Sequence, residues 1–242
     1  MFNPEMTYRY DHRVTFYECD LGLRMKPSAL LRVLQQGGEN QLTAMGLGYE
    51  TLRDKYSMGF LVSRLIMEID RMPQNNQVFT IETCPMGSAG SQFFRQANAV
   101  DEQGNVMVRL YTSWSLYDPA AQKVLRPKQF PVELNGGELE IDPKEFKLKF
   151  EQGEAVASRP VVYSDLDSNG HMNNAVYFDV ICDMLPLERL KEQSPRRIHL
   201  IYDQQALPGA ALELFCDNSR QDVYRMTGRQ QDHRCFDAEV RF

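Results

Sequence analysis

Asp167, Asn169 and His171 set a carboxylate, a carboxamide and an imidazole at alternate positions within the polar stretch Ser164-Asp-Leu-Asp-Ser-Asn-Gly-His-Met-Asn-Asn174. In an extended segment, positions i, i+2 and i+4 point to one side, so the three side chains are expected to converge on one pocket. A carboxylate can orient or deprotonate. An imidazole exchanges protons near neutral pH. A carboxamide can fix a water or a carbonyl. An apolar helix is expected directly after the stretch, and its first backbone N–H groups would suit a tetrahedral oxyanion. Together these are the parts needed to hydrolyse an acyl group with an activated water. No G-x-S-x-G nucleophile elbow occurs. The alternative is a plain surface loop, since Asp165, Ser168 and Gly170 are common turn formers.

The elements that would position these residues are mostly strands. Strand signals run over 8–17, 60–70, 77–84, 91–101 and 105–117, then over 155–163, 197–206, 210–216, 222–227 and 234–242. Leu61, Leu65, Met67 and Ile69 are read as one face, alternating with Arg64 and Glu68. Glu102–Asn105 reads as a hairpin turn. Each set of strands has one helix after its first strand. Pro27 opens the first, in which Leu30, Leu31, Leu34, Leu42 and Met45 fall at helical spacing. Val176, Tyr177, Val180, Ile181, Met184 and Leu185 form the second, which Pro186 ends. Gly37-Gly38 weakens the first helix by roughly 1 kcal/mol per glycine relative to alanine. The pair serves either close helix–sheet contact or space for a ligand beside the helix.

The two sets read as a repeat. Matching Asp20-Leu21 to Asp165-Leu166 sets Gly22, Arg24 and Lys26 opposite Asp167, Asn169 and His171, which leaves the first half without chemistry. The expected organisation is an N-terminal half over 1–126, a connection over 127–149 and a C-terminal half over 150–242. Half-domains of this kind expose sheet edges. Fusion pairs them within one chain, and a homodimer of the fused chain is also compatible.

Composition bounds the function. A formal net charge of −6 argues against nucleic acid as the main partner. No apolar run reaches the roughly 18 residues of a membrane span. The start, MFNPEMTYRYDHR, has no apolar h-region, so a cytoplasmic location is expected. Cys19, Cys84, Cys182, Cys216 and Cys235 form no C-x-x-C pair, which predicts free thiols and neither a metal nor another cofactor. His12, His199 and His233 fall in strand-like segments and read as structural, and Trp114 reads as core.

The string SDLDSNGHMNNAVYFD resembles the second-half motif of acyl-acyl-carrier-protein (acyl-ACP) thioesterases, D-x-N-x-H-x-N-N. It also resembles the wider hot-dog thioesterase pattern D-x-x-G-H-x-N-N-x-x-Y, which ends here at Tyr177. FYECDLG, SALLRVLQQGGENQ, GFLVSRLIMEIDRMP and RLYTSWSLYD agree with the first half, so the similarity spans roughly 8–240. The resemblance implies an α+β tandem hot-dog fold, each half an antiparallel sheet wrapped round a helix. It also implies hydrolysis of acyl-ACP to free fatty acid without a metal, with Asp167, Asn169 and His171 as catalytic residues and the acyl carrier protein as partner. Asn173, Asn174 and Gln205 would support them.

One departure stands out. Plant-type members carry a Glu-Cys pair after the second helix, where this chain has Gln205-Ala206. That excludes a cysteine nucleophile there and shifts weight to Asp167. The motif does not separate acyl-ACP from acyl-CoA, whereas the intact Asp167, Asn169 and His171 set speaks against a non-catalytic acyl-binding protein, for which Gln205 leaves some room. Arg196-Arg197, Arg126/Lys128 and Lys144/Lys147/Lys149 are candidate contacts for an acidic carrier protein.

Overall fold

The computed structural model describes residues 2–242. Its elements, in chain order, are β1 (Tyr8–Arg13), α1 (Pro27–Ala44), α2 (Tyr49–Tyr56), β2 (Gly59–Ile69), β3 (Val78–Ala89), β4 (Gln92–Val100), β5 (Val106–Asp118) and β6 (Lys123–Leu125). The second half supplies β7 (Glu154–Pro160), α3 (Val176–Asp183), α4 (Leu187–Glu192), β8 (Arg197–Tyr202), β9 (Ala211–Arg220), β10 (Val223–Gln230) and β11 (His233–Arg241). The strands form one antiparallel sheet in the order β1-β3-β4-β5-β2-β8-β11-β10-β9-β7, with β6 added on β5. This is the tandem hot-dog arrangement, in which α1 and α3 pack in one core between the strands of the two halves.

The halves join at β2 and β8, where Arg64–Glu68 pair with Ile201–Arg197. That pairing satisfies two edges that would otherwise offer free backbone groups to another chain. The connection is also packed down. Phe146 is buried and stacks on Phe94 at 5.8 Å, and its carbonyl meets His199 Nε2 at 3.3 Å. Gly136 donates from its N–H to the Pro85 carbonyl at 2.7 Å, and a Cβ there would fall 2.3 Å from Cys84 Sγ, so only glycine fits.

Local departures have local causes. A bulge between Val62 and Arg64 reverses the alternation of β2. Leu65, Met67 and Ile69 are buried as expected, but upstream of the bulge Val62 faces inward and Leu61 is 43% exposed. β3 continues through Pro85 because a bulge between Pro85 and Ser88, with Gly87 at φ +75°, absorbs the missing donor. The expected strand 197–206 ends at Tyr202, although the Asp203 and Gln204 N–H groups still donate to the Cys235 and Arg234 carbonyls of β11 before Ala206 reaches the polar loop. The short elements β6, α2 and α4 were not among those expected. α2 buries only Leu52 and α4 buries no residue, so neither has an apolar stripe to read.

Candidate active site

The loop between β7 and α3 is a tight hairpin rather than an extended segment. Leu166 bridges Met172, the Asp167 N–H donates to the His171 carbonyl at 2.8 Å, and the Gly170 N–H donates to the Asp167 carbonyl at 3.0 Å. Gly170 supplies the left-handed turn at φ +79°. Asp167 and His171 lie opposite each other across the hairpin and are joined through the backbone, with no hydrogen bond or ion pair between carboxylate and imidazole. Asn169 sits at the tip. Asp167 Oδ1 accepts from the Asn169 N–H at 2.8 Å and, more weakly, from the His171 N–H at 3.4 Å. One carboxylate oxygen thus folds the loop, and Oδ2 takes no hydrogen bond.

Other residues hold the hairpin in place. Asp165 is buried and accepts from Arg159 at 2.6 Å and from the Val162 N–H at 3.0 Å, so it is a structural pin. The Met172 N–H donates to the Ala206 carbonyl at 3.0 Å, and the Ala206 N–H donates to the Tyr177 hydroxyl at 3.2 Å. Gln205 is therefore adjacent in sequence to the residue that docks the loop, though it lies in the irregular segment after β8 and is exposed. Burial pushes the Tyr177 phenol up to about 12, with Cys235 and Asp167 adding and the Ala206 amide opposing, so it stays a hydroxyl. The Asn174 carbonyl accepts from Tyr202 Oη at 2.9 Å.

The start of α3 is less open than expected. Asn173 Oδ1 takes the Ala175 N–H at 2.9 Å, and its carbonyl takes the Val176 N–H at 2.9 Å. Two of the donors expected for an oxyanion are thus committed to Asn173. Among the described residues, no three His, Cys, Asp or Glu side chains gather as a metal site. Burial, with Asp203 adding, raises the Cys235 thiol to about 11, so it is no thiolate at neutral pH.

The first half contributes directly. Tyr49, on α2, donates its hydroxyl to Asn169 Oδ1 at 3.2 Å, and its N–H is held by Glu39 at 2.8 Å. Tyr49 and Asn173 both line a cavity of about 490 Å³ between α1 and the inner face of the first-half sheet. Leu34, Leu42, Phe60, Phe93, Leu110 and Trp114 make it mainly apolar. Its volume is typical of small-molecule sites, roughly 300–1,000 Å³. The site is therefore composite, with polar groups from the second half and a pocket from the first. The glycine pair divides its roles. A Cβ on Gly37 would meet Tyr10 at 3.0 Å and Thr83 at 3.1 Å, so it serves close packing, whereas Gly38 lines the cavity.

The first-half loop repeats this hairpin, in a register two residues from the one its Asp-Leu pair suggests. Cys19 bridges Met25, as Leu166 bridges Met172. The Asp20 N–H donates to the Arg24 carbonyl at 2.8 Å, and Asp20 Oδ1 accepts from the Gly22 and Arg24 amides at 2.8 and 3.0 Å. Leu23, at φ +57°, replaces Gly170. Asp20 is thus the counterpart of Asp167, Gly22 of Asn169, Arg24 of His171 and Lys26 of Asn173. The first half does keep a carboxylate, but Arg24 pairs with it at 3.1 Å and reaches the Leu190 carbonyl at the end of α4.

A family model for the acyl-ACP thioesterase N-terminal domain matches residues 5–129, and one for the C-terminal domain matches 148–238. The chloroplastic acyl-[acyl-carrier-protein] hydrolase FATB3 of Cuphea viscosissima is 20% identical over 225 residues, 86% of this chain and 54% of the relative. The chain thus spans about half the length of that curated relative. An acyl-ACP thioesterase from Bacteroides thetaiotaomicron superposes with a TM-score of 0.91 at 21% identity, covering 100% of both chains. The 12:0-ACP thioesterase from Umbellularia californica gives a TM-score of 0.86 at 16% identity, over 98% of this chain and 96% of that one. These likenesses show the shared fold.

Proposed function

The chain belongs to the acyl-ACP thioesterase family, and from that premise we propose that it hydrolyses acyl-ACP thioesters to free fatty acid and carrier thiol. The observation that carries this reading is the composite site. Tyr49 lines the apolar first-half cavity and bonds Asn169 at the tip of the second-half hairpin, which bears the two ionisable groups Asp167 and His171, though these two do not themselves line the cavity.

In this mechanism the acyl chain lies against α1 and the thioester carbonyl stands at the mouth, near Asn173 and Tyr49. Asp167 uses Oδ2 to take a proton from water, whose oxygen attacks the carbonyl carbon. The C–S bond then breaks, and the departing thiolate takes up a proton that His171 delivers. Asn169, steadied by the Tyr49 hydroxyl, orients the water or the carbonyl. Gln205 can hydrogen-bond a water but has no proton to take or give at neutral pH. The two halves, 1–126 and 150–242, act as one unit with one site per chain, because Arg24 occupies the place of the second histidine.

The test is release of fatty acid from a series of acyl-ACP substrates, with the same acyl groups on CoA alongside. The reading predicts faster turnover of the carrier-protein thioesters. Equal or faster turnover of acyl-CoA overturns the carrier-protein assignment, and no release from either overturns the hydrolase.

A further inference from the structure

The cavity is mainly apolar, but Arg95 and Thr112 line it from the sheet and Arg32, Gln35, Gln36 and Glu39 from α1. Phe93 and Ala97 line it from β4, and Arg95 stands between them. Arg95 lies opposite Pro85 on one neighbouring strand and Thr112 on the other. Its Nη1 donates to Gln41 Oε1 at 2.7 Å and to Thr83 Oγ1 at 3.0 Å. Those bonds use one nitrogen of the guanidinium. Several partly buried arginines of this chain have carboxylates, as Arg24 has Asp20, Arg159 has Asp165 and Arg225 has Glu239, whereas Arg64 and Arg229 do not. Among the described residues Arg95 has none within ion-pair distance. Burial lowers its pKa to about 10, against a smaller upward pull from Cys84, so it is cationic at neutral pH.

Two further features leave its free donors uncovered. Gly38 faces Arg95 from α1, with its would-be Cβ 3.2 Å from Nε, so no helix side chain covers that edge. One turn earlier on the helix, Gln35 also lines the cavity, and its buried Nε2 has no acceptor. A guanidinium and a carboxamide thus border one apolar cavity with donors unmet. A simple alkyl chain laid there would strip water from both and return nothing. An oxygen on the chain would satisfy both, and a carboxylate would also balance the charge.

We propose that the acyl group this site prefers carries an oxygen function, a carboxylate above a hydroxyl, which Arg95 and Gln35 hold inside the cavity. The inference rests on the thioesterase reading for its substrate but not for its binding site. Two measurements keep the two separable. The first compares kcat/KM for plain, ω-hydroxy and ω-carboxy acyl-ACP across a series of chain lengths. At the best length the ω-carboxy substrate is expected to lead the plain one by about ten- to a hundredfold, the scale of a hydrogen bond to a charged group. Plain acyl-ACP turning over as fast or faster overturns this inference and leaves the hydrolase standing.

The second measurement needs no turnover. Trp114, the only tryptophan, lines the same cavity. Its fluorescence can be titrated with the monomethyl ester of a dicarboxylic acid and with the methyl ester of the plain fatty acid of equal length. Tighter binding of the former supports the site even if no thioester is cleaved, and equal or weaker binding overturns it. Arg95→Met is expected to abolish the preference in both measurements and Arg95→Lys to keep part of it, with circular dichroism as the folding control. Should Arg95→Met fail to fold, Gln35→Leu is expected to reduce the preference alone, and an undiminished preference there removes Gln35 from the site.

Discussion

Replacing Arg24 with alanine removes the clamp that has taken over the first-half loop. The Arg24 side chain is 14% exposed. Its Nε donates to Asp20 Oδ2 at 3.1 Å, and its Nη2 donates to the Leu190 carbonyl. The contact with Lys191 O, at 3.4 Å, is too long to add much. A hydrogen bond from a charged donor contributes about 1.5–3 kcal/mol. The Asp20 pair is nearer the surface, where ion pairs contribute roughly 1 kcal/mol or less. The sum is about 1.5–4 kcal/mol. At roughly 2–4 °C per kcal/mol for a chain of this size, the melting midpoint should fall by about 3–16 °C. Arg24→Lys keeps the charge but not the fork and should fall between. Thermal melts by circular dichroism measure this, with thioester hydrolysis assayed well below the transition. Turnover should stay close to wild type, because the clamp lies at the counterpart of the active loop. A midpoint within about 1 °C of wild type would refute the clamp. A large loss of turnover in a folded Arg24→Ala protein would show that the first-half loop takes part in catalysis.

Other expectations follow from the same geometry. Tyr49→Phe loses the hydroxyl bonded to Asn169 Oδ1 and should lower kcat/KM by less than about tenfold. The loss should vanish in an Asn169→Ala background, and additive losses would contradict the link. Burial holds the pKa of His199 down to about 4 despite its contact with the Phe146 carbonyl. Its unfolded value is about 6.5, so the unfolded chain binds the extra proton between the two. Stability is therefore full above about pH 6.5 and falls as pH drops toward 4, by about 3 kcal/mol. His199→Gln should flatten the slope of unfolding free energy between about pH 6.5 and 4.5, and an unchanged slope would count against it. Proteolysis within 127–149 should not release two separately folded halves, since β2 pairs with β8 and Gly136 and Phe146 are packed down. Two stable fragments would contradict that.

The long strands were legible because alternation marks one face, as at Leu65, Met67 and Ile69, although Ile66 on the other face is buried as well. Alternation fails where a bulge changes its phase, which is why Leu61 was placed on the wrong face. The polar loop was legible as a cluster of residue types, but its shape was not. Its hairpin depends on Asp167 accepting two backbone amides, and nothing in the spacing separates that from an extended run. The same blindness set the repeat two residues off, because the Asp-Leu pairs match by letters and the hydrogen bonds match Asp20 to Asp167. Tyr49 escaped notice because it lies on a short helix with one buried residue, 120 positions from the Asn169 it meets. Arg95 belongs to no motif and drew no reading from the sequence. Only the packed structure shows it facing the helix.

In the proposed mechanism Asp167 and His171 move protons while Asn169 and Gln205 only position. Asp167→Asn separates function from structure cleanly, because asparagine keeps an Oδ1 to accept the Asn169 and His171 amides yet cannot take a proton from water. Steady-state turnover of saturating acyl-ACP should fall by about 10²–10⁴-fold in Asp167→Asn and in His171→Ala. It should fall by no more than about tenfold in Gln205→Ala, with unchanged circular dichroism in all three. A nearly neutral Asp167→Asn beside a crippling Gln205→Ala would contradict the account and move water activation to the irregular segment after β8.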